Sequence, residues 1–218
     1  MNALIRRDLL LAWRNKFGLL LGPMFFVVFI TICVIAFGND ASKLQSFAGP
    51  LIWIAVLLSL FLNFPIVFSE DYKDGSLEAL VLSGESRLLI AMAKAISFFA
   101  TSFVPFLIII PLSGIAFGLP ANAIAAIGLS IFFSVPALII YGVLTGALLG
   151  RQHSSGLLAV LLAAPLLIPV LIFGISAINS YPIAGMSAVE FRALAGINLI
   201  ALAVGLPATA AALNANLE

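Results

Sequence analysis

The sequence predicts an all-α integral membrane protein with six transmembrane helices. Its 218 residues are 63% hydrophobic and only 9% charged, with a mean hydropathy of +1.25, whereas soluble domains average about 25% charged residues. A chain so poor in charge cannot cover a surface that faces water, so lipid must be its solvent. The second observation is that the apolar residues gather into six long runs. The third is that Lys and Arg are unevenly distributed between the segments that connect these runs.

Each of the six runs is long enough to cross a bilayer, which takes about 20 mostly apolar residues in a helix. The runs cover residues 17–37, 47–68, 88–113, 121–149, 156–178 and 191–213. The uncharged turn GIAFGLP separates the third from the fourth, and the turn-rich segment NSYPIAGMSAVE separates the fifth from the sixth. We therefore interpret residues 1–218 as a single transmembrane domain.

Residues 1–16 precede the first run and predict a helix that lies along the membrane interface. Apolar residues recur there at helical spacing, among several arginines. We predict that Arg6, Arg7, Trp13 and Arg14 anchor this helix at the depth of the lipid headgroups. The alternative is a positively charged lead-in that only sets the topology. The first run itself should be a retained span, because the apolar region of a signal peptide has only about 7–15 residues.

Basic residues orient the spans, because Lys and Arg are enriched in cytoplasmic loops. With the N-terminus inside, eight basic residues fall on the cytoplasmic side: Arg6, Arg7, Arg14, Lys16, Lys73, Arg87, Lys94 and Arg151. Only Lys43 and Arg192 fall outside. The sequence therefore predicts cytoplasmic N- and C-termini, and it places the loop between the second and third spans inside the cell.

Several classes of function are disfavoured by what the sequence lacks. No Asp, Glu, Lys, Arg or His occurs in residues 95–150, which argues against a carrier driven by protons or sodium, since such carriers place ionisable groups inside their spans. The sequence has no GxxxxGK[ST] phosphate loop and no catalytic constellation, so we predict that the chain is not an enzyme and that any motor is another subunit. Cys33 and His153 are the only thiol and imidazole, which predicts no metal site and no cofactor in this chain. The net charge of +1 offers no surface for nucleic acid.

One compact charged segment interrupts this apolar sequence, between the second and third runs. The stretch SEDYKDGSLEALVLSGESRL, residues 69–88, holds seven of the chain's 19 charged residues. Its DGS tripeptide has the composition of a turn, and the LEALVL that follows can form about two turns of helix with Leu77, Leu80 and Val81 on one face. We predict a short amphipathic helix within a cytoplasmic coupling loop, residues 69–87.

The apolar face of this short helix needs a cover, because two turns of helix are unstable alone in water. The cover is either the headgroup layer of the membrane or a groove on a soluble partner. Acidic residues outnumber basic ones in the segment, and anionic lipids repel such a segment, which favours a protein partner. The predicted docking residues are Glu70, Asp71, Asp74, Gly75, Ser76, Leu77, Glu78, Leu80 and Val81.

Three glycines in the fourth run predict a close helix contact. Gly142, Gly146 and Gly150 recur at every fourth position, the small-xxx-small pattern that lets two membrane helices approach closely. The pattern suits packing within this chain, and it also suits a contact with a second membrane subunit.

The stretch FAGPLIWIAVLLSLFLNFPIVFSEDYKDGSLEALVL strongly resembles the haem-exporter B family, whose members are permease-like subunits of the ATP-binding-cassette (ABC) complex of cytochrome c maturation. The resemblance extends over essentially the whole chain and includes RRDLLLAWR near the N-terminus, APLLIPVLIFG in the fifth run and LPATAAAL near the end. The DGSLE run, residues 74–78, is its most specific piece.

The resemblance implies a type-2-exporter-like ABC permease in the inner membrane of a bacterium or a mitochondrion. A separate cytoplasmic ABC ATPase would bind ATP and would seat the loop of residues 69–87 as a coupling helix. The complex would handle haem together with haem-handling membrane subunits, and ATP hydrolysis would drive release of a haem-loaded periplasmic chaperone. This chain is not expected to ligate haem, because its predicted periplasmic loops offer only Tyr181 and Met186 among the usual iron ligands.

Two other functions suit the same architecture. One is a generic exporter permease for a lipid, a drug or a polysaccharide, since only the resemblance points to haem. The other is a scaffold that transports nothing and transmits the motion of the ATPase to neighbouring membrane proteins. A six-helix half-transporter usually pairs with a second membrane half, which is either a second copy of this chain or a different subunit.

Overall fold

Almost every residue described by the computed structural model is helical, as expected where lipid leaves no water to pair backbone polar groups. The structure describes residues 1–14, 16–38, 40–82, 84–149 and 156–215, and no strand occurs among them. The helices are α1 (Asn2–Arg14), α2 (Lys16–Phe37), α3 (Ala41–Asn63), α4 (Ile66–Lys73), α5 (Ser76–Leu82), α6 (Arg87–Phe98), α7 (Phe106–Ala116), α8 (Ala121–Leu149), α9 (Gly156–Ala184), α10 (Val189–Ile200) and α11 (Leu206–Ala215).

Six stretches within the described residues are long and apolar enough to cross a membrane, which confirms the predicted all-α, six-span fold. They are Leu20–Phe37, Ala41–Lys73, Arg87–Ala116, Ala121–Leu149, Leu157–Ser187 and Val189–Ala215. Two of them reach further than the sequence runs suggest. The second continues through α4 to Lys73 after a short break at Phe64 and Pro65, and the fifth stays helical to Ala184.

Prolines account for the irregular turns in the third and sixth spans. π-Helical turns occupy Phe99–Phe103 and Ala201–Gly205, and each lies just before a proline, Pro105 or Pro207. Proline has no N–H, and its ring crowds the carbonyl one turn earlier, so a helix that contains it must bend or widen. These turns let the two spans stay helical while they accommodate the prolines.

In the fourth span, a side chain from a neighbouring helix pairs the backbone groups beside Pro136. The amide of Asn198 in α10 accepts a hydrogen bond from the Ala137 N–H (2.9 Å) and donates one to the Phe133 carbonyl (2.7 Å). An uninterrupted helix would pair these two backbone groups with each other. Asn198 therefore bridges them from the neighbouring helix, next to the proline.

The core between α3, α8 and α9 is built around Trp53. Its side chain is fully buried, and its indole N–H donates to the Ser130 hydroxyl at 3.0 Å. Ser130 in turn donates to the carbonyl of Gly174. A β-carbon on Gly174 would lie 2.3 Å from the indole ring, so the close approach of α9 to Trp53 requires glycine.

Candidate coupling site and its ion network

The connection between α4 and α5 is a tight turn fixed by its own sequence. A carboxylate oxygen of Asp74 accepts a hydrogen bond from the Ser76 N–H at 2.9 Å, and Gly75 has a φ of +71°, a conformation that favours glycine. This bond from the Ser76 amide lowers the pKa of the exposed Asp74 carboxyl. The DGS tripeptide therefore starts α5, Ser76–Leu82, at a defined angle to α4.

The apolar face of α5 is turned toward the chain itself. Leu77 is fully buried in the hydrophobic core, and Leu80 and Val81 are half-buried against that core. The expectation that an outside partner or lipid must cover Leu77 is therefore wrong, because α5 lies against this molecule. A sequence pattern identifies an apolar face but does not say which surface covers it.

The opposite side of α5 is left open. We call Glu78, Ala79 and Leu82 of α5, together with Asp74 of the preceding turn, the outer face; all four side chains are exposed. Leu82 is 86% exposed although it is a large apolar residue. The outer face therefore combines two acidic side chains with one exposed leucine. The other predicted docking residues are less accessible: Gly75 and Ser76 are half-buried in the turn, and Glu70 is half-buried on α4.

Asp71, which the sequence assigns to the docking surface, lies instead at the centre of a buried ion network. Its carboxylate pairs with Arg7 of α1 and with Lys94 of α6, and it accepts a hydrogen bond from the Ser76 hydroxyl at 2.9 Å. Asp8 of α1 completes the network, 3.1 Å from Arg7 and 3.1 Å from Lys94. With its side chain 3% exposed, Asp71 is not available to a partner.

The network balances two acids with two bases and ties three parts of the chain together. The side chains of Asp8 and Lys94 are each 8% exposed, so the charges are largely removed from water. Burial alone lowers the pKa of the Arg7 guanidinium, but the carboxylates of Asp71 and Asp8 outweigh it and raise that pKa. Because ions buried this deeply are costly unless paired, α1 is fixed to the ends of the second and third spans.

This network also changes the interpretation of α1 as a membrane anchor. Arg7 points into the protein, so its predicted role at the lipid headgroups is replaced by the pairs with Asp71 and Asp8. Arg6 and Arg14 are exposed, and Trp13 is 71% exposed. The outward side of α1 therefore keeps the mixture of aromatic and basic groups that suits a membrane interface.

The sequence signal for the network was present at Lys94. This lysine lies within an apolar run, and an ionisable group inside a span calls for a partner. The positive-inside argument uses Lys94 only to orient the spans, so it does not predict the buried carboxylates that pair with this lysine. Its partners, Asp8 and Asp71, could not be chosen by spacing, because they come from two other segments.

The glycines of α8 pack against the second span of the same chain. A β-carbon on Gly142 would lie 2.4 Å from the Phe64 ring, and one on Gly146 would lie 2.8 Å from the Phe64 carbonyl oxygen. Gly150 lies outside the described residues, as does His153. The close contact that the glycine pattern predicts is thus made, at these two positions, within the subunit.

No three His, Cys, Asp or Glu side chains in the described ranges are placed to share a metal ion. The site is built from helix ends and ion pairs. It defines a six-span α-helical membrane protein with a short helix between the second and third spans and an N-terminal helix fixed to those spans by buried charges.

Comparison with known proteins identifies the family. Residues 1–216 match the CcmB protein family. The chain is similar to Heme exporter protein B of Bradyrhizobium diazoefficiens, with 33% identity over 100% of this chain and 99% of the relative, and to that of Rhodobacter capsulatus, with 33% identity over the full length of both. Similarity to Heme exporter protein B of Escherichia coli K12 is 29% over 88% of this chain and 90% of the relative. The chain belongs to the CcmB protein family, which confirms the resemblance seen in the sequence.

Proposed function

We infer that this chain is the membrane subunit of the haem-export ABC transporter that serves cytochrome c maturation. The observation that carries this function is the match to the CcmB protein family over residues 1–216, together with relatives named Heme exporter protein B that align over their full length. The six membrane spans suit a permease subunit. The chain acts as a transporter subunit and not as an enzyme.

The energy for this function comes from a separate cytoplasmic ATPase subunit, which binds ATP. The absence of a phosphate-loop motif in the sequence supports the assignment of ATP binding to a separate subunit. The outer face supports the docking position, because Leu82 is 86% exposed on the same side of α5 as the acidic side chain of Glu78, and Asp74 is exposed in the preceding turn. The ATPase groove that receives this face should therefore combine an apolar pocket with basic residues.

The ion network supplies a route by which movement of α5 reaches the membrane. Ser76, the first residue of α5, is hydrogen-bonded to Asp71 on α4. Asp71 is paired with Lys94 on α6 and with Arg7 on α1. A displacement of α5 by the ATPase therefore acts on the second span, the third span and the N-terminal helix together.

Haem is handled by the complex and is not ligated by this chain. Tyr181, one of the two candidate ligands that the sequence offers, lies within α9 and packs edge-on against Phe191 at 6.2 Å between ring centroids. Met186 is half-exposed in the turn between α9 and α10. The remaining partners are haem-handling membrane subunits and a periplasmic haem chaperone, and the location is the inner membrane.

Deletion of the gene in its native host tests this function. We expect the deletion strain to lose covalent haem from its c-type cytochromes while b-type cytochromes keep their haem, and a plasmid copy of the gene to restore the loss. The measurement is haem staining of membrane proteins after denaturing electrophoresis. A deletion strain with a normal set of c-type cytochromes would contradict the assignment and favour a permease for another substrate.

A further inference from the structure

One side of α1 is left open by the rest of the described chain. Arg6, Leu9, Leu10 and Trp13 recur at the spacing that places residues on one side of a helix, and all four are exposed. Leu10 is 57% exposed and Trp13 is 71% exposed. These four side chains help to line one shallow groove, and we call them the open face of α1.

The charges of α1 are divided between this open face and the protein interior. Asp8 is the only acidic residue of α1, and its carboxylate is turned toward Lys94 in the buried network. Arg7 belongs to the same network. Arg6 and Arg14 are exposed, and neither takes part in an ion pair within the described part of the chain. The open side of α1 is therefore basic and apolar, and no acid of its own helix neutralises it.

The buried network sets the depth of the open face in the membrane. The third span, Arg87–Ala116, has 30 residues, which at about 1.5 Å per residue cover about 45 Å. That length matches a bilayer of about 40–45 Å with its headgroup layers. Lys94 lies roughly 10 Å along this helix from Arg87. The salt bridge of Lys94 to Asp8 at 3.1 Å therefore holds α1 near the boundary between the headgroups and the hydrocarbon.

This depth and this charge together favour lipid as the occupant of the open face. Tryptophan is enriched at the level of the headgroups, where the network holds Trp13. Anionic headgroups attract Arg6 and Arg14, and the hydrocarbon just below them covers Leu9 and Leu10. A protein groove that receives the acidic outer face should itself be basic, so the same groove would repel the arginines of α1.

We propose that the open face of α1 binds anionic phospholipids of the leaflet at this end of the spans. Arg6 and Arg14 contact the lipid phosphates, while the apolar side chains of the open face pack against the upper part of the acyl chains. The structure thereby separates two neighbours that the sequence treats alike, because Arg6 faces the lipid and Arg7 is bound to the carboxylates of the network. This lipid site does not depend on the proposed transport function.

Quenching of Trp13 fluorescence by brominated lipids tests the site, because bromine quenches only a tryptophan that it contacts. The full-length chain is placed in phosphatidylcholine nanodiscs with a small fixed fraction of brominated lipid, which is either anionic phosphatidylglycerol or phosphatidylcholine with the same acyl chains. The other tryptophan, Trp53, is fully buried, and its signal is measured in Trp13→Phe and subtracted. At low salt we expect Trp13 to contact phosphatidylglycerol roughly tenfold more than phosphatidylcholine, and this preference should fall as salt is raised.

Charge variants assign the preference to the open side of α1. Each basic side chain near an anionic surface contributes a factor of about five, so Arg6→Gln should lower the preference about fivefold and the Arg6→Gln/Arg14→Gln double variant should abolish it. Arg192→Gln is the matched control, since Arg192 is an exposed arginine of α10, and it should keep the full preference. Equal quenching by the two lipids, or a preference that survives in the double variant, would overturn the proposal. So would the absence of quenching by either lipid, which would show that protein or water covers the open face.

Discussion

The ammonium of Lys94, in the third span, lies 3.1 Å from a carboxylate oxygen of Asp8, in the N-terminal helix. Both side chains are 8% exposed, and Asp71 from the second span completes the contact with Lys94. The N-terminal helix is thereby linked to two spans by buried charges. Asp8, Asp71 and Lys94 must each keep a partner, because these three charges are too buried to be solvated alone.

Lys94→Met is expected to destabilise the chain strongly. The substitution leaves Asp8 and Asp71 with only Arg7 to balance them, and breaking a buried pair in this way typically costs about 3–5 kcal/mol. Thermal unfolding of the purified protein measures the loss. Lys43→Met is the matched control, since Lys43 pairs with Asp40 at a surface where the side chains are 70% and 43% exposed, and such pairs contribute about 0–1 kcal/mol. Equal effects of the two substitutions would show that the Lys94 network is solvated.

Leu82→Asp should abolish co-purification of the ATPase without reducing the amount of folded chain in the membrane. Leu82 is exposed on the outer face of α5, so its replacement disturbs a partner and not the core. Leu77→Asp is the contrasting variant: Leu77 is fully buried, and a charge there should lower the melting temperature of the chain itself. The two readouts are affinity capture of the ATPase and thermal unfolding. Full recovery of the ATPase with Leu82→Asp would place the docking surface elsewhere.

The six spans were predictable because their length and apolar composition are local properties of the sequence. The turn at Asp74 and Gly75 was equally local, since the side chain and the φ angle that fix it belong to adjacent residues. The orientation of α5 was not, because Leu77 and Leu82 are both apolar and only the tertiary packing decides which one is covered. For the same reason the inward turn of Asp71 escaped prediction, since its partners Arg7 and Lys94 are distant in sequence.

Gly146→Ala should destabilise the contact between the fourth span and the second. Its new β-carbon would approach the Phe64 carbonyl oxygen to 2.8 Å, and a backbone atom cannot move aside as a flexible side chain can. Overpacking of this kind costs about 1–3 kcal/mol, measured by thermal unfolding. Gly128→Ala on the same helix is the control: nothing lies within 4 Å of its added carbon, and replacing a mid-helix glycine should stabilise by about 0.5–1 kcal/mol. A loss of stability at both positions would indicate a helix effect unrelated to the contact.

Asn198→Leu should destabilise the fourth span at Pro136, because it leaves the Ala137 N–H and the Phe133 carbonyl without the partners that Asn198 provides. Stranding buried backbone groups costs about 1–3 kcal/mol. In a Pro136→Ala background these two groups can pair with each other, so Asn198→Leu should then cost less. Thermal unfolding of the two single variants and the double variant gives the coupling between the positions. Strictly additive losses would mean that Asn198 contributes ordinary packing and does not compensate for the proline.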